Sequence, residues 1–148
     1  MSLYTNIVVA IDPIIDSQDI IDKAKNLIRT NGIINIVYVD EHVPMAFMGA
    51  PLAPPMMDYP FDNENKAELI KSMQKLALMN KIPKENVNVL IGSPANEIRR
   101  FAKKISADCI VLGTHGRHGV ALLLGSTASS VVHGTPCDIL AVKIKDKK

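Results

Sequence analysis

A chain of 148 residues, 47% hydrophobic and 22% charged, has the size and composition of one ordinary globular domain, which excludes disordered and membrane classes. A formal net charge of +2, with most basic residues scattered, speaks against a nucleic-acid partner, and the lysine-rich end at 145–148 reads as a solvated tail. No apolar run approaches the roughly 18 residues needed to cross a bilayer, and Met1-Ser2-Leu3-Tyr4-Thr5-Asn6 lacks the basic-then-apolar start of a signal peptide, so no membrane association and a cytoplasmic location are expected.

The run Tyr4 to Ile11 is apolar and β-rich and ends at Asp12-Pro13, as expected of a strand buried on both faces. Asp16 or Ser17 can cap a helix with Ile20, Ile21, Ala24, Leu27 and Ile28 on one stripe, closing at Asn31-Gly32. Ile33 to Val39 follows as a second strand. The segment 41–60, rich in Met, Pro and Ala, breaks every period and is long for a loop; a cover over a crevice or a partner-binding surface are its two readings. A second amphipathic helix is predicted from Asp62 to about Lys81, carrying Ala67, Ile70, Met73, Leu76 and Ala77. Asn86 to Ile91 makes a third strand.

Ser93-Pro94 is a helix start, a capping hydroxyl followed by proline at the first helical position, and Ile98, Phe101, Ala102 and Ile105 form that helix's apolar stripe. Cys109 to Leu112 is the fourth strand. A short helix runs from Ser126 to about His133, stopped by Gly134 and Pro136, and Asp138 to Ile144 is the fifth strand. Alternating strands and helices predict an α/β fold with a single doubly wound parallel sheet and right-handed crossovers. No internal repeat or second domain is visible, so one domain spanning 1–148 is expected.

Chemistry concentrates after the fourth strand. Gly113-Thr114-His115-Gly116-Arg117 opens a glycine-containing loop that ends in Gly125-Ser126-Thr127 at a helix start. Glycines admit a ligand close to the backbone, and a helix start offers unpaired N–H groups to an anion, most often phosphate. The pattern is neither a Walker A loop nor the dinucleotide fingerprint. Ser126 and Thr127 supply hydroxyls for phosphate oxygens or a phosphate-bound Mg²⁺, and Arg117 supplies charge-assisted bonds. Turn-making is the other explanation of these glycines.

Asp12 stands at the carboxyl end of strand one, where an open α/β sheet exposes its ligand crevice. A carboxylate there suits an adenine or a ribose hydroxyl, and a turn residue before Pro13 is its alternative role. His115, His118 and His133 follow no metal-ligand spacing, and no nucleophile–base arrangement or general base can be nominated. Hence no metal site built by the chain alone and no catalytic residues are expected. Cys109 and Cys137 read as small buried hydrophobes, with a redox pair as the alternative if their strands prove parallel neighbours.

With these residues in place the chain resembles the universal stress protein family over nearly its whole length. The resemblance rests on Ile7-Val8-Val9-Ala10-Ile11-Asp12, Ile36-Val37-Tyr38-Val39 and Gly92-Ser93-Pro94-Ala95-Asn96-Glu97-Ile98. It continues through Ala107 to Gly116, Gly125-Ser126-Thr127-Ala128, and Thr135 to Val142. It implies an adenine nucleotide alpha hydrolase-like sheet of order 3-2-1-4-5 and a homodimer through the last strand. It also implies ATP binding with Mg²⁺ or Mn²⁺, because Gly113, Gly116, Gly125 and Ser126 match the glycine loop of the family's ATP-binding class.

Carried over by position, Asp12 and the backbone of Val39 hold adenine, and Gly113 the ribose region. Gly116, Gly125, Ser126 and Thr127 hold the phosphates, with Thr114, His115 and Arg117 in the same loop. Two departures stand out. Eight residues separate Gly116 from Gly125 where the usual pattern has nine, a shortening shared by one ATP-binding branch, and Pro13-Ile14-Ile15 replaces the usual Gly-Ser. The function implied is a nucleotide-dependent sensor or regulator in stress response that acts on an unidentified protein partner. The alternatives are a slow ATPase or autophosphorylating enzyme, with Ser126, Thr127 or His115 nearest the γ-phosphate, and a nucleotide-independent dimeric interaction module.

Overall fold

The computed structural model describes residues 3–12, 17–40, 61–114 and 126–144, the backbone alone for 61–65 and 126. The predicted cover at 41–60 and the lysine tail lie outside the described residues. Five parallel strands form one sheet: β1 (Tyr4–Ala10), β2 (Ile28–Asp40), β3 (Val87–Ile91), β4 (Cys109–Gly113) and β5 (Asp138–Val142), in the order β3-β2-β1-β4-β5. Between them run α1 (Gln18–Leu27), α2 (Phe61–Met79), α3 (Pro94–Lys104) and α4 (Ser126–Val132). The expected order 3-2-1-4-5 is the one observed.

The continuous apolar runs are explained by two cores, one on each face of the sheet. Ile7 and Val9 of β1, Ile34 and Ile36 of β2, and Cys109 and Val111 of β4 bury against Ile20, Ile21 and Ala24 of α1 and Met73 and Ala77 of α2. The alternate residues Val8, Val37, Val39, Ile110 and Leu112 bury against Ala95, Ile98 and Ala102 of α3 and Ala128 and Val131 of α4. A strand covered on both faces needs apolar residues at both parities, so β1 and β4 show no alternation. The strands at the two ends, β3 and β5, are mostly half-buried. In α2 the stripe runs through Leu69, Met73, Leu76 and Ala77; Ala67, expected on it, is exposed.

The first helix ends at Leu27, short of the closure at Asn31-Gly32 that the sequence predicts. Ile28 is already extended, and β2 runs 13 residues from there to Asp40. Tyr4 pairs with Ile28 but Asn6 with Ile33, so β2 carries surplus residues opposite the start of β1. Asn31-Gly32, expected to close the helix, instead belongs to this bulged entry to the strand. The serine caps also differ from expectation. Neither Ser17 nor Ser93 makes a side-chain capping bond, although both hold the N-cap position and Pro94 opens α3 as predicted.

Two helix ends are closed without glycine. After α2, Ile82 N–H donates to the Ala77 carbonyl (2.8 Å) and Lys81 N–H to that of Leu78 (3.1 Å). After α3, Ala107 N–H donates to Ala102 (2.9 Å) and Ser106 N–H to Lys103 (3.2 Å). Both are Schellman closures with a left-handed residue, Lys81 at φ 59 and Ser106 at φ 53, where glycine is favoured. Lys81 is exposed, so Lys81→Gly is expected to raise stability by about 0.5–1 kcal/mol, read as a higher denaturant midpoint at unchanged slope.

The two cysteines are free; Cys109 opens β4 and Cys137 immediately precedes β5, and they pack on opposite faces of the sheet. Cys109 lies in the α1–α2 core and Cys137 against the α3–α4 core. Burial pushes both thiols up, Cys109 to about 12, so both stay protonated and serve as small apolar groups. The redox-pair alternative is therefore not supported: side chains on opposite faces of a sheet cannot meet disulfide geometry without backbone movement.

Candidate functional site

The strand order reverses at β1, which pairs with β2 on one side and β4 on the other. The crevice outside the carboxyl ends of β1 and β4 is where an open α/β sheet takes its ligand. Register sets what stands there. Ala10 pairs with both Val37 and Leu112, and Asp12, Val39 and Thr114 each follow these partners by two residues at the carboxyl ends of β1, β2 and β4. The Ile11 N–H reaches the Val37 carbonyl at 2.9 Å and carries the pairing past Ala10.

Asp12 is half-buried at this edge, and its carbonyl accepts a bond from the Ser17 hydroxyl (3.3 Å), which ties the end of β1 to the start of α1. The Val39 side chain is buried in the α3–α4 core, so its backbone is what faces the crevice. Asp40, next in β2, has its carbonyl engaged by the Gly92 N–H at 3.0 Å. Thr114 extends the β4–β5 pairing, with its N–H on the Val142 carbonyl at 2.9 Å.

Gly113 is a glycine for a packing reason. A Cβ at this position would stand 2.4 Å from Ile144 Cδ1 and 3.1 Å from Ile20 Cδ1. The missing side chain thus admits Ile144 and α1 to the end of β4, whatever approaches from the crevice.

Ser126 and Thr127 open α4, which follows β4 and packs on α3. Thr127 is half-buried, and the buried Ala128 and Val131 fix the helix to the sheet. His115, Gly116, Arg117 and Gly125 lie outside the described residues, as does the Ser126 side chain. The structure therefore brings Asp12, Val39, Gly113 and Thr114 to one sheet edge and sets Ser126 and Thr127 at the start of the next helix.

Among the described residues no three His, Cys, Asp or Glu side chains stand together as a metal cluster. No helix among them is long and apolar enough to cross a membrane. What the edge offers is the half-buried carboxylates of Asp12 and Asp40, strand-end backbone and hydroxyl-bearing residues at a helix start. That donor set fits the polar groups of a nucleotide. It also fits a divalent cation carried by phosphates, since Mg²⁺ needs few protein ligands when phosphate oxygens complete its shell.

Sequence reasoning did not single out Arg99, one of four basic residues in α3. Its guanidinium donates to the carbonyls of Ser130 (3.1 Å) and His133 at the end of α4, and to Asn96 Oδ1.

A sequence model of the universal stress protein family matches residues 3–143. Universal stress protein A homolog 1 of Coxiella burnetii is 35% identical over 144 residues, covering 97% of this chain and 99% of that protein. Among solved structures, universal stress protein UspA from Lactobacillus plantarum is similar with a TM-score of 0.70 at 25% identity, over 96% of this chain and 99% of that one. A universal stress protein in complex with cAMP shares the fold with a TM-score of 0.62 at 19% identity, over 96% and 98% of the two chains.

Proposed function

This chain belongs to the universal stress protein family, and from that premise we propose that it binds ATP with Mg²⁺ or Mn²⁺ and acts as a nucleotide-dependent regulator in stress response. The observation that carries the reading is the placing of Asp12, Val39 and Thr114 at the carboxyl ends of three adjacent strands where the strand order reverses, with α4 opening on Ser126-Thr127 beyond β4. Asp12 and the Val39 backbone orient adenine, Gly113 and Thr114 border the ribose, and Ser126 and Thr127, with His115, Gly116, Arg117 and Gly125, hold the phosphates. The cation neutralises phosphate charge when bound. A fold neighbour crystallised with cAMP supports an adenine nucleotide as the ligand class.

The regulatory output rests on two states of the protein with different affinity for nucleotide, since a ligand shifts a population by its differential affinity alone. A homodimer through β5, which stands at one end of the sheet, and a cytoplasmic location complete the proposal, with a protein partner as the receiver of the signal.

Calorimetric titration with Mg·ATP tests the reading. Wild type is expected to bind in the micromolar range, and Gly125→Val, which puts a branched side chain into the glycine loop, is expected to lose that binding while keeping the wild-type unfolding curve. A folded, nucleotide-free wild type that takes up no ATP would sink the nucleotide reading and favour the interaction module. Phosphate release from the same sample that vanishes in Ser126→Ala would instead favour the slow enzyme.

A further inference from the structure

We propose that Arg99 is a positioning residue of the nucleotide site, acting through α4; the inference rests on the reading just given and adds to it a residue outside the crevice. Helix α4 has seven residues, and a helix that short has little stability of its own because nucleation is costly. Its place must be imposed from outside. Ala128 and Val131 bury its inner face, which holds it against the sheet but resists sliding along its own axis poorly.

Arg99 supplies the axial restraint. Its guanidinium sits at the carboxyl-terminal end of α4, donating to the Ser130 and His133 carbonyls, where a cation also meets the negative end of the helix dipole. Asn96, one turn earlier on α3, accepts a third bond and aims the fork. Gly134, at φ 77, then turns the chain away from the helix end. α3 is itself held by the buried Ala95, Ile98 and Ala102, so the fork transmits the position of a well-anchored helix. A short helix is rigid along its axis, and a shift at His133 reappears at Ser126 and Thr127 about 10 Å away. Arg100, next in sequence, differs in every respect: its side chain is 80% exposed and meets Glu97 at 3.6 Å on its own helix.

The adjacent arginines make the test. Arg99→Met is expected to weaken Mg·ATP binding about tenfold, with Arg99→Lys recovering part of the loss, because an ammonium cannot fork across the same acceptors. Arg100→Met removes the same charge and is expected to bind like wild type. Asp108→Asn, a destabilising change at the opposite end of β4, is also expected to keep wild-type affinity. Hydrogen exchange on the nucleotide-free protein should show faster exchange of the α4 amides in Arg99→Met, with the strands unchanged.

Equal affinity in Arg99→Met and wild type overturns the proposal, as does an equal loss in Asp108→Asn, which would signal general loosening. If wild type binds no nucleotide, the functional reading falls and α4 exchange decides whether Arg99 fixes that helix. Unchanged exchange overturns the proposal in that case too.

Discussion

Truncating Ile110 to alanine is expected to destabilise the fold by about 3–4 kcal/mol, while the same truncation at Ile139 costs about 1 kcal/mol. The two residues are register partners on adjacent strands and point into the same core. Their difference is position in the sheet. Ile110 lies on β4, between β1 and β5, and is fully buried at 0% exposure beneath α3 and α4. Ile139 lies on β5 at the end of the sheet and is half-buried. Removing buried methyl groups loses their transfer free energy and leaves a cavity that α3 and α4, pinned to the same sheet, can close only in part. Around Ile139 water or a shifted neighbour fills the space. Urea unfolding of both variants reads the comparison directly. Equal costs would mean that β5 is covered as thoroughly as β4 in solution, the result a dimer through β5 would give. The pair of variants therefore reports on the sheet and on the assembly together, and repeating the measurement across protein concentrations separates the two.

The strands were legible because burial on both faces leaves a signal that survives in one sequence: Ile7-Val8-Val9 and Cys109-Ile110-Val111-Leu112 are unbroken apolar runs bounded by polar residues. The edge of the crevice was legible for a related reason. Strand ends in an α/β sheet are where Asp12 and Gly113 interrupt the apolar runs, and the crossover rules set those ends side by side. What sequence could not show was decided by tertiary contacts. Ile28 continues the helical stripe of α1 without a break, and only pairing with Tyr4 makes it a strand residue. Lys81 and Ser106 end helices in a conformation that neither advertises, because the buried Ile82 and Ala107 behind them fix where the chain must turn. In the sequence Gly113 reads as an opening for a ligand, and its packing duty toward Ile144 follows from a residue 31 positions later. Arg99 looks like its neighbour Arg100, and only the folded placement of α4 separates a half-buried fork from an exposed charge.

Asp108 carries the second large effect, and its expected result is an acid-dependent loss of stability. The carboxylate sits just before β4 and accepts three bonds from β1: Thr5 N–H at 2.8 Å, the Thr5 hydroxyl at 2.8 Å and Asn6 N–H at 3.0 Å. Its own N–H donates to the Asn6 carbonyl at 2.9 Å, so one residue closes the start of the central strand pair. Asn6 extends the bracing, giving its amide to the Ile105 carbonyl at 2.7 Å and taking a bond from Asn35 of β2 at 3.1 Å. Partial burial pushes the Asp108 carboxyl up, but the donors from Thr5 and Asn6 outweigh it and hold it below its ordinary value.

A group whose folded value is lowered stabilises the fold at any pH above its unfolded value and ceases to do so as pH falls through the folded one. The Asp108 contribution is thus complete at neutral pH and disappears below about pH 4. Asp108→Ala is expected to cost about 1–2 kcal/mol at pH 7, since it removes a charged acceptor and leaves the half-buried Asn6 N–H without its partner, while water can reach the exposed Thr5 donors. The gap between variant and wild type should narrow as the pH drops below about 4, where the wild-type carboxyl takes up its proton. Unfolding curves at pH 7 and near pH 3 measure both arms. A cost that stays constant across that range would mean that the side chain acts through packing, because a neutral acid would then brace β1 as well as the carboxylate does.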